Sequence, residues 1–253
     1  MTLWVSHRGE SYDAPENTLS AFKLARERNT DAWETDIHFT GDKVVVCCHD
    51  ASTARVSGVE KIVAACTFDE LQQVDVSNGK AGYEGERIPA FAEVLKLLPP
   101  EKLLFTEIKI NDPAIVDAMM DEIDRSPVER EQIIVISFHA DMIKVCKERY
   151  PGMKALYLHG LGVNEDGTFA IQPEELWKKL EDMHADGLDA RARKEFLTPE
   201  FVAELRKRGY SLALWTIDDP ETAGYFIDTV KPDAVTSNRA AYLCNIIDHG
   251  ANC

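Results

Sequence analysis

Four short motifs carry the side chains that could perform acid–base, metal or phosphate chemistry. Two contain a histidine, His7-Arg8-Gly9 and His49-Asp50, and two contain carboxylates, Glu34-x-Asp36 and Glu107-x-Lys109. Imidazole titrates near neutral pH, so a pair of histidines can serve as general base and general acid. Carboxylate oxygens bind hard cations, whereas arginine and lysine suit phosphate oxygens. The four motifs together therefore indicate chemistry at a phosphate group.

The three carboxylates are predicted to share one divalent cation. Alternation along a strand puts Glu34 and Asp36 on one face, inside an apolar run where an unpartnered charge is costly. If Glu107 joins them, the three charges repel and at least one carboxyl holds a proton unless a cation compensates. All-oxygen ligation suits Mg²⁺ or Ca²⁺ rather than zinc. The alternative is that Glu34 and Asp36 are solvated or pair with arginines.

Four further residues are assigned to the substrate or to support of the site. Arg8 and Lys109 are expected to bind phosphate; the alternative is that they only neutralise the neighbouring carboxylates. Trp215 ends a predicted strand, where it either walls a substrate pocket or packs in the core. Glu16 lies just before the first predicted helix and is expected to support the site from outside. Asn17, beside it, is interpreted as structural.

Eight helices alternate with eight strands once one additional strand, 43–48, is set aside. The predicted strands are 3–6, 32–40, 43–48, 103–109, 133–138, 154–158, 186–189, 211–216 and 233–237. The predicted helices are 17–28, 91–98, 113–125, 140–149, 173–182, 199–207, 220–229 and 239–247. Strict alternation predicts a parallel sheet, and eight units predict a TIM (β/α)8 barrel. The active site of such a barrel lies at the C-terminal ends of its strands, where the motifs occur.

The additional strand is predicted to form a β-hairpin with the second barrel strand. A two-residue loop at 41–42 with glycine first is typical of a type II′ turn. That turn places residue 40 opposite residue 43 and Glu34 opposite His49. Residues 51–88 carry four glycines and one short helical stretch, and they interrupt the alternation. We expect a small insertion over the active-site face of a single domain, 1–253.

Composition excludes several functional classes. The 253 residues include 28 basic and 44 acidic side chains, which gives a net charge of −16. This charge argues against nucleic acid and anionic membrane surfaces as partners. No apolar run is long enough to span a bilayer, so no stable membrane insertion is expected. Six cysteines without a CxxC pair, and no visible signal peptide, favour reduced thiols and a cytoplasmic location. The sequence does not indicate an oligomeric state.

The motifs, in their order along the chain, resemble those of the glycerophosphodiester phosphodiesterase family of the PLC-like phosphodiesterase superfamily. The matching motifs are His7-Arg8-Gly9, Pro15-Glu16-Asn17-Thr18, Glu34-Thr35-Asp36, His49-Asp50, Ile88-Pro89, Glu107-Ile108-Lys109, Ser137-Phe138 and Trp215-Thr216. The resemblance implies a TIM barrel with a small insertion after the second strand. It also implies a cation on Glu34, Asp36 and Glu107, and an acid–base pair of His7 and His49.

The implied activity is metal-dependent hydrolysis of a small glycerophosphodiester to sn-glycerol 3-phosphate and an alcohol, with the head group left open. The neighbouring glycerol hydroxyl is expected to attack phosphorus and give a cyclic phosphate, which water then opens. Two alternatives remain. A lysophospholipase D-like activity would need an apolar groove or a membrane-seeking face. A non-catalytic phosphodiester-binding barrel would be expected to lack a histidine or a carboxylate that this chain retains.

Overall fold

The computed structural model describes residues 1–247 and contains a closed parallel β-barrel. Its strands are β1 (Leu3–Ser6), β2 (Ala32–Phe39), β3 (Val45–Cys47), β4 (Leu103–Ile108), β5 (Ile133–Ser137), β6 (Lys154–His159), β7 (Gly187–Arg191), β8 (Ser211–Trp215) and β9 (Ala234–Ser237). The order around the ring is β1-β2-β4-β5-β6-β7-β8-β9, and β9 pairs with β1 to close it. The predicted TIM barrel is confirmed.

Helices connect the barrel strands and cover the outside of the ring. They are α1 (Leu19–Glu27), α2 (Ala54–Ser57), α3 (Phe68–Leu71), α4 (Phe91–Leu95), α5 (Ala114–Asp124), α6 (Ala140–Arg149), α7 (Pro173–Asp182), α8 (Pro199–Lys207), α9 (Pro220–Tyr225) and α10 (Ala240–Ile247). Thr18, Thr198 and Asp219 cap α1, α8 and α9 by accepting a backbone N–H from three residues on. Helix α9 continues as a π-helical turn, Phe226–Val230.

Alternation along the strands separates two apolar layers. Outward-facing residues such as Trp33, Leu104 and Leu188 pack under the helices in one large cluster. Inward-facing residues form a second cluster inside the barrel, and two of them, Ile136 and Leu158, also line the cleft at its C-terminal end. The other members are Val5, Ala32, Phe105, Ile134, Leu156, Ala213 and Ala234. The next inward positions on β2 and β4 are Glu34 and Glu107. Because apolar side chains fill the rest of the barrel interior, polar side chains form a cleft at the C-terminal end of the strands.

The hairpin forms, but its predicted turn and register are wrong. Residue 39 pairs with residue 45, so the connection has three residues between paired positions 40 and 44 rather than two. Lys43 takes the left-handed conformation, with φ of 65°, while Gly41 does not. Gly41 instead packs against the insertion, since an added Cβ would lie 3.2 Å from the Cys66 carbonyl oxygen. The shift pairs Asp36 with Cys48, so Glu34 does not face His49.

The segment between β3 and α4 has its own small apolar cluster. It contains α2, α3 and a 3-10 turn, Val63–Ala65, where one helical stretch was predicted. Buried side chains from this segment pack against Val46 of β3; they are Cys48, Val56, Val63, Leu71, Val74, Val76 and Ile88. Within the described residues, no helix combines the length and apolarity needed to cross a bilayer. Cys253 lies outside the described residues.

Candidate active site

The C-terminal ends of the barrel strands enclose one cleft with about 450 Å³ of empty volume. The cleft is lined by His7, Arg8, Glu34, His49, Glu107, Lys109, Ile136, Phe138, Leu158, Asp189, Trp215, Thr216 and Thr236. All four sequence motifs therefore contribute side chains to the same space.

The three carboxylates predicted to share a cation come together. One oxygen each of Glu34, Asp36 and Glu107 lies within 4.8 Å of the others, and all three residues are buried. Parallel pairing of β2 with β4 causes this approach, because Asp36 and Glu107 are register partners. The pKa of Glu34 is raised well above its usual value, by burial and by the Asp36 charge. Burial and the same charge raise the pKa of Glu107 to about 7.

A hard divalent cation fits this group of oxygens. Asp36 Oδ1 is buried and has no hydrogen-bond partner among the described residues. Its nearest cationic group is Lys109 Nζ, at 3.4 Å. A divalent cation bound to this oxygen would reduce the repulsion that, together with burial, raises the two glutamate pKa values. The donor set is all oxygen, which suits Mg²⁺ or Ca²⁺.

Asp36 is the member of the group that stays charged. Although burial favours its neutral form, Arg8 and Lys109 hold the pKa of Asp36 well below its usual value. Arg8 Nε lies 3.1 Å from Oδ2, and Lys109 Nζ lies 3.4 Å from Oδ1. Asn17 Nδ2 donates to Oδ2 over 2.8 Å, and Asn17 Oδ1 accepts from Thr35. Asn17 thus orients a candidate metal ligand, a role that the helix-cap interpretation did not include.

Arg8 and Lys109 contact both the carboxylates and the cleft. The Arg8 backbone N–H donates to Glu34 Oε2 over 2.9 Å, and its Nη1 lies 2.9 Å from Glu16 Oε1. Lys109 Nζ lies 2.7 Å from Glu107 Oε1. Both side chains also line the cleft. Arg8 and Lys109 can therefore neutralise the carboxylates and still face a phosphate group in the cleft. The two interpretations from the sequence are compatible.

His7 is held as a neutral imidazole with a free nitrogen. Its Nδ1 lies 2.7 Å from Asn238 Oδ1, and Asn238 Nδ2 donates to Asp218 Oδ2 over 2.6 Å. Because Asp218 fixes the amide orientation, Asn238 Oδ1 is an acceptor and His7 Nδ1 must carry the proton. Nε2, 3.9 Å from Glu34 Oε2, is then unprotonated. Burial and the Arg8 charge lower the pKa of His7 to about 4.

His49 has a different partner, a carboxylate. Its Nδ1 lies 2.6 Å from Asp50 Oδ1. Burial lowers the pKa of His49, whereas Asp36 and the Asp50 hydrogen bond oppose that shift. A carboxylate behind the ring stabilises the imidazolium, which a neutral amide does less well. His49 is therefore better placed than His7 to carry a proton.

Glu16 connects the two sides of the cleft through the insertion. Arg55, in α2, donates to Asp50 Oδ2 over 2.6 Å and to both Glu16 oxygens over 2.7 Å. Glu16 in turn contacts Arg8. The predicted supporting position of Glu16 is thus a bridge between Arg8 and Arg55. The sequence reasoning missed Arg55 because it lies in a segment with no strand to place it.

The side of the cleft opposite the three candidate metal ligands is formed mainly by apolar and aromatic side chains. Trp215 Nε1 donates to the Asp189 carbonyl oxygen over 3.1 Å, and Phe138 meets the Trp215 ring edge-on at 5.6 Å. The Asp189 side chain also faces this space. Burial and the Glu107 charge raise the pKa of Asp189 to about 8. The predicted strand ended at Asp189, so its inward position was not recognised.

Gly9 allows the first motif to pack on α1, and we expect Gly9→Ala to be strongly destabilising. Its φ is 76°, and an added Cβ would lie 2.6 Å from the backbone carbon of Ala21. Strain and overpacking together should cost about 3 kcal/mol or more. Gly58 has a similar φ of 70° but open space around it, so Gly58→Ala should cost only about 1 kcal/mol. Urea denaturation of both variants measures the difference; equal losses would contradict the steric argument.

Comparisons with known proteins show the family to which the chain is similar. A model of the "Glycerophosphoryl diester phosphodiesterase family" matches residues 7–241. A glycerophosphodiester phosphodiesterase of Caldanaerobacter subterraneus subsp. tengcongensis is 29% identical over 98% of this chain and 99% of its own. An Oleispira antarctica phosphodiesterase, solved with the product sn-glycerol-3-phosphate, has a TM-score of 0.84 at 23% identity, covering 96% of both chains. A glycerophosphodiester phosphodiesterase of Parabacteroides distasonis has a TM-score of 0.78 at 25% identity, covering 99% and 98%.

Proposed function

Because the chain belongs to the glycerophosphoryl diester phosphodiesterase family, we propose that it hydrolyses glycerophosphodiesters to sn-glycerol 3-phosphate and an alcohol. The observation that carries this proposal is one cleft lined by two histidines, two basic side chains and two of the three clustered carboxylates. These lining residues are His7, His49, Arg8, Lys109, Glu34 and Glu107, and the third carboxylate, Asp36, is buried beside them. The relative solved with sn-glycerol-3-phosphate supports the choice of product. A non-catalytic barrel would have no use for two histidines with such different partners.

Glu34, Asp36 and Glu107 would hold one divalent cation, Mg²⁺ or Ca²⁺. When bound, that cation would supply Lewis-acid polarisation of a phosphoryl oxygen. Arg8 and Lys109 face the same space and stabilise the negative charge that builds on the phosphoryl oxygens during attack. Asp36 in turn keeps both of these side chains positioned by ion pairing.

His7 acts as the general base in the first step and His49 as the general acid. His7 Nε2 takes the proton of the glycerol hydroxyl next to the phosphate, and the hydroxyl oxygen attacks phosphorus in line. The bond from phosphorus to the other ester oxygen breaks, and His49 protonates the departing alcohol. A five-membered cyclic phosphate results. Water then opens it with the roles reversed: His49 accepts the water proton, and His7 returns its proton to the glycerol oxygen.

Release of sn-glycerol 3-phosphate tests the proposal directly. A panel of glycerophosphodiesters is incubated with the protein after EDTA treatment and again after addition of Mg²⁺ or Ca²⁺. We expect activity to fall at least 100-fold with EDTA and to return with one of the cations. Full activity in EDTA would remove the metal assignment. Rapid turnover of bis-p-nitrophenyl phosphate, which lacks the hydroxyl, would contradict the cyclic route.

Two finer aspects of the proposal need separate measurements. Comparing glycerophosphocholine with lysophosphatidylcholine distinguishes the proposed activity from the lysophospholipase D-like alternative. Preference for the lysophospholipid would replace the proposal with that alternative. The cytoplasmic location stays a prediction from the cysteine pattern.

A further inference from the structure

The cleft has a charged half and an apolar half, formed by opposite sides of the barrel. The candidate metal ligands come from β2 and β4, and His7 follows β1. The opposite strands, β5 to β8, contribute Ile136, Leu158 and Trp215, with Phe138 just beyond β5. In the ring order, β7 is diametrically opposite β2. The apolar half is therefore the part of the cleft that is left for a substituent of a diester whose phosphate lies in the charged half.

Asp189 is a buried carboxylate in this apolar half, and among the described residues it has no positive partner. Its residue exposure is 1%, and Oδ1 has no hydrogen-bond partner in that part of the chain. The other carboxylates of the site are compensated: Asp36 and Glu107, for example, pair with Lys109. Without such a partner the buried group favours its protonated form. A ligand that brings a positive charge to this position would supply the missing partner and favour the carboxylate.

The aromatic side chains beside Asp189 suit the same kind of ligand. Trp215 is oriented by its hydrogen bond to the Asp189 carbonyl oxygen. Phe138 packs against Trp215 at an interplanar angle of 83°, so the two rings form a right-angled corner. Phe138 is 44% exposed, which leaves its ring available at the mouth of the cleft. Aromatic faces attract quaternary ammonium groups through the ring quadrupole.

We propose that Asp189, Trp215 and Phe138 form a subsite for the ammonium group of a cationic leaving alcohol, so that choline-type glycerophosphodiesters are the preferred substrate class. This inference rests on the proposed function. In this arrangement the attacking glycerol hydroxyl lies near His7 and the leaving oxygen lies near His49, both in the charged half. The rest of the leaving alcohol then extends across the cleft toward Asp189.

A matched pair of substrates separates the effect of the ammonium charge from the effect of the shape of the leaving alcohol. Glycerophosphocholine is compared with its 3,3-dimethylbutyl analogue, which replaces the nitrogen by carbon and keeps the shape. We expect the protein to favour the choline ester at least tenfold in kcat/KM. Asp189→Asn should reduce that ratio to below about threefold, and Phe138→Leu should lower it about two- to fivefold. Asp182→Asn, which removes the same charge at an exposed helix position, should leave the ratio at the wild-type value.

Three outcomes would overturn the inference. Equal turnover of the two esters by the wild-type protein is one, and equal losses on both esters in Asp189→Asn is another. The third is a wild-type preference for a polyol ester that Asp189→Asn abolishes, since Asp189 would then recognise a hydroxyl. Calorimetric binding of tetramethylammonium to the wild-type protein and to Asp189→Asn tests the subsite without turnover. If no ester releases sn-glycerol 3-phosphate but tetramethylammonium binding depends on Asp189, the proposed function fails and the subsite stands.

Discussion

Replacing Glu34 with Gln is expected to lower phosphodiesterase activity about 10³-fold or more and yet to raise the melting temperature of the cation-free protein. The loss follows because one of three candidate metal ligands disappears, together with several kcal/mol of transition-state stabilisation. The melting temperature rises because the substitution removes the Glu34 charge, which repels Asp36 and Glu107 in a buried site. Each kcal/mol recovered corresponds to about 2–4 °C in Tm for a chain of this size.

The pH dependence follows from the same repulsion. The pKa of Glu34 in the folded protein lies above its usual 4.5, so the bound proton stabilises the fold. That stability is present below pH 4.5 and is lost as the pH rises through the folded pKa. Glu107, with its pKa raised to about 7, adds to the same loss. The Tm of the cation-free Glu34→Gln variant, relative to that of the cation-free wild-type protein, should therefore rise between pH 4.5 and pH 8. His7, whose pKa is lowered to about 4, has the opposite pH dependence, but it contributes to both proteins and cancels in the difference.

Calorimetry in EDTA and in Mg²⁺ or Ca²⁺ checks this prediction. The cation should raise the Tm of the wild-type protein at pH 8 and should have little effect on Glu34→Gln. Glu175→Gln, which removes the same charge from an exposed helix position, is the control and should change neither Tm nor activity. A lower Tm for cation-free Glu34→Gln, or retained activity, would show that the three carboxylates do not act as one site.

Sequence reasoning reached the barrel and the charged half of the cleft because both depend on local patterns. Each strand–helix unit carries its own alternation and caps, as Thr198 and Asp219 illustrate. Once the strands are placed, their C-terminal ends define where His7 and Glu107 must lie. No long-range contact is needed for either step.

The features that were missed depend on partners far away in the chain. The hairpin turn was mispredicted because Gly41 meets the backbone at Cys66, a tertiary contact that no turn preference contains. Asn238 supports His7 from 231 residues away. The burial of Asp189 and its position in the cleft wall can be recognised only when the other barrel strands are in place. Its strand prediction ended two residues early, which hid the inward-facing position.

His7→Gln and His49→Gln are expected to differ sharply when the leaving group is changed. On glycerophosphocholine, each should lose about 10²–10⁴-fold in kcat, since either the base or the acid is missing. The p-nitrophenyl ester of sn-glycerol 3-phosphate releases an alcohol that needs no proton. On that ester the first-turnover rate of His49→Gln should come within about tenfold of the wild-type rate, whereas His7→Gln should keep its full defect. Single-turnover kinetics on both esters, at saturating cation, measure the two effects, because the later opening of the cyclic phosphate also uses His49.

The physical basis of this difference is the group behind each ring. Asn238 can only accept the His7 Nδ1 proton, which leaves Nε2 free to take another, while Asp50 stabilises a protonated His49. His184→Gln changes an exposed histidine away from the cleft and should behave as the wild-type protein on both esters. Rescue of His7→Gln instead of His49→Gln by the p-nitrophenyl ester would reverse the assignment. Equal defects on both esters would mean that neither imidazole protonates the leaving alcohol.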